Sequence, residues 1–162
     1  KIDQQCKIAV FQPISLKNKP AELKKDFIAT WDKSVAALLE KKYKIYVVGS
    51  SEDLDLVHEI YGHKSFLYLD NVINLMGCLD IFESIELVMK KADFVLSCDS
   101  WAGWYGIASR KKTAYAAGPL IENGTDSHYL NCIKNKDVFF MDYSSKKDKA
   151  DNNIANWIQR NA

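Results

Sequence analysis

The chain changes its hydrophobic period repeatedly, and few folds accommodate that pattern. Short runs that are apolar on both sides of the backbone alternate with longer segments whose apolar residues recur every three or four positions. Cys6–Gln12 is such a run, stopped by Pro13, and Tyr43–Val48 is a second, followed by the turn Gly49-Ser50-Ser51. Between them, Phe27, Trp31, Val35, Leu38 and Leu39 mark one face of a helix ending near Lys42. Strands apolar on both faces must be covered on both faces. The pattern therefore predicts a parallel sheet with helices on its two sides.

The remainder of the chain continues the alternation. Leu54, Val57 and Ile60 or Tyr61 give an inner face to a helix whose first turn is acidic, with Glu52, Asp53 and Asp55. Phe66–Leu69 is expected to be a third short strand, and Ile73–Met76 a loop or strand fragment leading to Gly77. Asp80 with Glu83 three residues on has the spacing of a capping box and should open a helix over 81–91. Phe94–Cys98 is the most apolar strand, Trp101–Arg110 reads as a helix, and Thr113–Ala117 and Val138–Met141 as strands. Ile154, Trp157 and Ile158 anchor a last helix, while Lys146 to Lys149 reads as a solvated charge run.

With 162 residues, the chain has the length of one domain, taken as 1–162, with a single core. A net charge of +1 provides no global field for nucleic acid or an anionic membrane, so any anion site must be local. No apolar stretch reaches the length of a membrane span, and Lys1–Gln5 has no signal-peptide pattern, so a cytoplasmic location is expected. The four cysteines and three histidines form no metal-spaced motif. Neither the Gly-x-Gly-x-x-Gly of a dinucleotide fold nor the Gly-x-x-x-x-Gly-Lys-Ser/Thr of a phosphate loop is present.

In an open parallel sheet, ligands bind beyond the carboxyl ends of the strands. Three such ends carry suitable residues: Pro13-Ile14-Ser15, Gly49-Ser50-Ser51-Glu52, and Asp99-Ser100-Trp101-Ala102-Gly103. At the third, a buried strand delivers a carboxylate and a hydroxyl to a helix start whose amides can hold phosphate, although Asp99-Ser100 also suits a plain helix cap.

Leu75 to Asp80, Lys91 to Ser100 and Ala108 to Pro119 together resemble the donor-binding domain of the glycosyltransferase family that includes the lipopolysaccharide heptosyltransferases, known as glycosyltransferase family 9. That family shows Leu-x-Gly-x-x-Ser/Asp-Leu-x-Glu, then Ala-Asp followed by Asp-Ser-Gly-x-x-His, then a segment closing on Gly-Pro. The resemblance covers residues 6 to about 120, and Asp99 to Pro119 is its most specific part. It implies a Rossmann-like α/β fold forming one half of a GT-B type enzyme, with a nucleotide-diphosphate sugar as donor substrate and no cofactor.

By position, the resemblance implies that Asp99, Ser100 and the amides of Trp101, Ala102 and Gly103 face diphosphate and sugar. Gly77 to Leu79 would frame the base, and Ser51 or Glu52, after Gly49, would approach the ribose. Ser15 and one of Lys17, Lys19, Lys24 or Lys25 would meet the phosphates. The family's glycine after Asp-Ser is Trp101 here, and its histidine is Trp104. These indoles leave three readings: a rearranged loop, rings that stack on sugar or base, or a degenerate donor site.

No catalytic residue is assigned, because the family's base lies in the N-terminal half and this chain opens near the first strand of the donor domain. The isolated chain is therefore expected to bind donor without transferring sugar to a glycan or lipid-linked acceptor. The competing expectation is a non-catalytic carbohydrate- or protein-interaction module that retains the fold.

Overall fold

A computed structural model of the chain describes residues 6–15, 31–62, 66–98, 100–117, 136–142 and 147–162. Six strands form one all-parallel sheet: β1 (Lys7–Gln12), β2 (Tyr43–Val47), β3 (Val72–Asn74), β4 (Phe94–Cys98), β5 (Lys112–Ala117) and β6 (Val138–Asp142). Their order across the sheet is β3-β2-β1-β4-β5-β6, the doubly wound order of Rossmann-like folds. The helices are α1 (Asp32–Glu40), α2 (Ser51–Tyr61), α3 (Ile81–Glu86), α4 (Trp101–Ala108) and α5 (Lys147–Asn161).

The central strands confirm why apolar runs mark a two-sided sheet. Ala9, Val10 and Phe11 of β1 and Phe94, Val95 and Leu96 of β4 are fully buried, and they pair in register, Ala9 with Phe94 and Phe11 with Leu96. Alternate residues belong to two separate cores. Ala9, Phe11, Ile45, Val47, Phe94 and Leu96 face the larger core, where α1, α2 and α5 contribute Val35, Leu38, Val57, Ile154 and Ile158. Val10 and Val95 face the smaller one, closed by Val88, Ala92 and Ala102. Trp31 anchors the larger core: fully buried, it donates Nε1–H to the Pro13 carbonyl at 3.0 Å and meets the Phe11 ring edge-on at 5.2 Å.

One strand was misplaced by sequence reasoning. Phe66–Leu69 is not a strand: Phe66–Tyr68 forms a 3-10 turn, and the third strand is Val72–Asn74, paired with Ile45–Val47 of β2. Phe66 and Leu67 are both buried while Tyr68 and Leu69 are both exposed, a pairwise pattern that suits a turn and not the alternation of a strand. Phe66 enters the core from that turn, its ring 5.1 Å from Phe11. The helix expected over 81–91 is α-helical only to Glu86 and continues as a π-helical turn through Lys91. Of the expected charge run, Lys147–Lys149 belongs to α5.

Helix starts follow local chemistry. Asp80 accepts from the Glu83 amide at 2.8 Å while the Glu83 carboxylate accepts from the Asp80 amide at 2.9 Å. Ser50 and Asp53 form a second reciprocal pair at the start of α2, both contacts at 3.1 Å. On α4, glycines set the packing distance. A Cβ at Gly103 would stand 2.1 Å from Tyr115 Cδ2, and one at Gly106 would stand 2.8 Å from Thr113 Oγ1. These small residues thus serve close helix-to-sheet contact, since their free side faces the sheet.

Gly103→Ala is expected to lower stability by roughly 1–3 kcal/mol through overpacking against Tyr115, read by urea denaturation. Asp80→Ala should cost about 1 kcal/mol through loss of the cap. A glycine variant as stable as the parent would contradict the contact described at Tyr115.

Candidate functional site

β1 and β4 are neighbours at the middle of the sheet, yet the chain leaves β1 toward α1 on one face and leaves β4 into α4 on the other. At the carboxyl ends of two such strands, where the strand order reverses, folds of this kind open a crevice. A cleft of about 580 Å³ occupies this edge. It is lined from β1 by Gln12 and Ser15, from the turn after β2 by Gly49, Ser50, Glu52 and Asp53, and from α4 by Trp101. Leu79, Ile81 and Ser84 close it from the start of α3.

The expected residues divide clearly. Ser15, Gly49, Glu52, Leu79 and Trp101 line the cleft. Ser51 and Gly77 support its wall: Gly77, with φ at +71°, donates its amide to the Gly49 carbonyl at 2.9 Å, and a Cβ there would lie 3.2 Å from Ser51 Cα. A side chain at position 77 would meet both the left-handed backbone penalty and the α2 start. Ala102 and Gly103 are buried in the first turn of α4. Lys17, Lys19, Lys24, Lys25 and Asp99 lie outside the described residues, as do the turns at Gly118-Pro119 and Glu122–Asp126.

The two indoles have different surroundings. Trp101 is the first residue of α4, and it is not among the described residues with positive φ, so its Cβ brings no backbone strain. Its ring borders the cleft and meets Tyr105 at 6.5 Å. Trp104 instead packs edge-on against Tyr115 at 5.7 Å and does not line the cleft. The amides of Trp101, Ala102 and Gly103 meet no acceptor among the described residues, as the first turn of a helix leaves them.

Ser100 is the residue before α4, but its hydroxyl makes no cap bond. It is buried and donates to Gln12 Oε1 at 2.6 Å, with Ser97 Oγ 2.9 Å away on its other side. Ser100 thus ties the end of β4 to the end of β1 and is not itself a cleft-lining group. Gln12, Asp53, Ile81 and Ser84 were missed as site residues, and Ser50 was named only as part of the turn after β2. The available signal for Gln12 was a polar residue closing an apolar run directly before a proline. Among the described residues, no three His, Cys, Asp or Glu side chains gather as a metal ion would require, and no helix is long and apolar enough to cross a membrane.

No protein-family model and no curated protein matches the chain. Solved structures do match in fold. Against the Escherichia coli ADP-heptose lipopolysaccharide heptosyltransferase II the TM-score is 0.70 at 14% identity, over 97% of this chain and 46% of that one. Against the E. coli heptosyltransferase WaaC, solved with ADP, it is 0.64 at 16% identity, over 96% and 44%. A family 9 glycosyl transferase from Veillonella parvula gives 0.57 at 12% identity, over 98% and 48%. This chain therefore has the Rossmann-like α/β fold found in those glycosyltransferases, and it spans a little under half the length of each.

Ser100→Ala removes the donor to a buried carboxamide oxygen, and the expected loss is about 1–3 kcal/mol. Thermal unfolding checks this. Ser15→Ala, at a half-buried cleft position without that contact, should change stability by less than about 0.5 kcal/mol.

Proposed function

We propose that this chain is the nucleotide-sugar-binding half of a heptosyltransferase-like glycosyltransferase, and that the cleft between β1 and β4 holds the donor's nucleoside diphosphate. The observation that carries this reading is the position of that cleft. It lies at the strand-order reversal of a fold shared with a heptosyltransferase solved with ADP, beside a helix start whose amides meet no acceptor among the described residues.

The parts fit a diphosphate nucleotide in kind and placement. The α4 amides offer donors and the positive end of a helix to the phosphates. Glu52 provides carboxylate oxygens for a ribose diol. Leu79 and Ile81 supply apolar surface against which a base can lie, and the Trp101 indole suits the face of a sugar ring.

Sugar transfer breaks the bond between the anomeric carbon and the leaving diphosphate as an acceptor hydroxyl attacks. This domain's share of that chemistry is to stabilise the charge gathering on the diphosphate, with α4 amides and a lysine such as Lys17. Deprotonating the acceptor requires a base, which in this reading comes from a facing half that also binds the glycan or lipid-linked acceptor. The transfer would proceed in the cytoplasm on a soluble nucleotide sugar.

Calorimetric titration of the chain with ADP, UDP and GDP tests the proposal. At least one should bind with millimolar or tighter affinity, without rapid sugar transfer from the matching nucleotide sugar. No heat with any of them at millimolar concentration would end it. Glu52→Ala should weaken the preferred nucleotide about tenfold and leave the affinity of its 2′,3′-dideoxy form unchanged, and equal loss for both forms would remove Glu52 from the ribose.

A further inference from the structure

Gln12 is the last residue of β1, is 2% exposed and lines the cleft. A carboxamide at that depth needs its polar atoms bonded or open to water. Its Oε1 accepts from Ser100 Oγ at 2.6 Å, and Ser97 Oγ lies 2.9 Å behind Ser100. A separation of 2.6 Å belongs to O–H···O and is short for N–H···O. The Ser100 proton therefore points at the glutamine oxygen, and Ser97 Oγ, whose own proton goes to the Cys98 carbonyl at 2.7 Å, lies behind it.

That network fixes which end of the carboxamide faces outward. The Nε2 amine, with two N–H donors, turns away from Ser100. No partner meets it among the described residues. The buried side-chain polar atom sealed without a partner among them is Ser109 Oγ, so Gln12 Nε2 is not sealed in and opens on the cleft the residue lines.

We infer that Gln12 is a ligand-binding residue of this cleft, whose Nε2 donates to a phosphate oxygen beside the amides that open α4. The nature of the ligand rests on the function proposed above. The placement of the donor follows from the contact between Gln12 and Ser100, one residue before Trp101. A neutral donor suits this floor. Asp53 and Glu52 line the same cleft, and a carboxamide presents a positive edge to phosphate without being drawn into an ion pair with either. Ser100 is a positioning residue, holding the carboxamide oxygen so that the amine is left to offer its donors.

Nitrogen-15 NMR of the wild-type chain, with the Gln12 side-chain N–H pair assigned through bonds, reads this without any variant. Inorganic pyrophosphate, and separately ADP, UDP and GDP, should move one of those protons downfield to saturation together with the backbone amides of residues 101 to 103. Backbone shifts without movement of the Gln12 pair would overturn this inference and leave the proposed function standing. No response to pyrophosphate or to any nucleotide would overturn both. Gln12→Met should weaken the preferred nucleotide about tenfold, and Gln12→Glu more strongly because it turns a carboxylate toward phosphate. Folded variants that bind as the parent does would also overturn it. Ser100→Ala should broaden or split the Gln12 side-chain resonances before any ligand is added, an effect that a purely structural serine would not produce.

Discussion

Two parallel strands that pair with each other but send the chain to opposite faces set everything else in this molecule. The β1–β4 pairing is buried on both sides and in register over Ala9–Gln12 and Phe94–Ser97. α1 and α4, the helices that follow these two strands, pack on separate faces of the sheet. A crevice follows from topology before any side chain is considered. The side chains then determine its character: the Trp101 indole from α4, an acidic turn after β2, and an apolar rim from the start of α3.

At that end the two strands are also joined chemically. Gln12 and Ser97 are register partners, and Ser100 bridges them, so the last polar positions of both strands share one hydrogen-bond network. Networks of this kind are costly when incomplete and rigid when complete. Here the network holds the start of α4 against β1, which keeps the helix amides and the carboxamide in fixed relation. The capping pair Ser50 with Asp53, and Gly77 seated against Ser51, fix the opposite wall in the same way.

Much of the fold was legible because central strands leave a strong trace. Continuous burial of Ala9-Val10-Phe11 and Phe94-Val95-Leu96 forces unbroken apolar runs, and the Asp80 cap announces its helix through two residue types at fixed spacing. The edge strand Val72–Asn74 was only partly legible, as the loop or strand fragment at Ile73–Met76, being three residues long and half-buried, while the apolar Phe66 and Leu67 nearby mimicked a strand. At the site, loop positions such as Ser15, Glu52, Leu79 and Trp101 could be found from strand ends and family resemblance. Gln12 and Ser100 could not be sorted, because which of two polar neighbours lines a cleft depends on a bond between residues 88 positions apart. Gly103 was read for its backbone amide, and that its missing side chain also makes room for Tyr115 was not legible.

The account stands on the β1–β4 crevice being where a nucleotide binds. A crystal structure of the chain soaked with the nucleotide it binds best tests that directly. The account predicts diphosphate density at the start of α4, within hydrogen-bond reach of Gln12 Nε2 and the amides of residues 101 to 103, with the base toward Leu79 and Ile81. Ordered nucleotide elsewhere on the molecule, with this crevice holding only solvent, would contradict it.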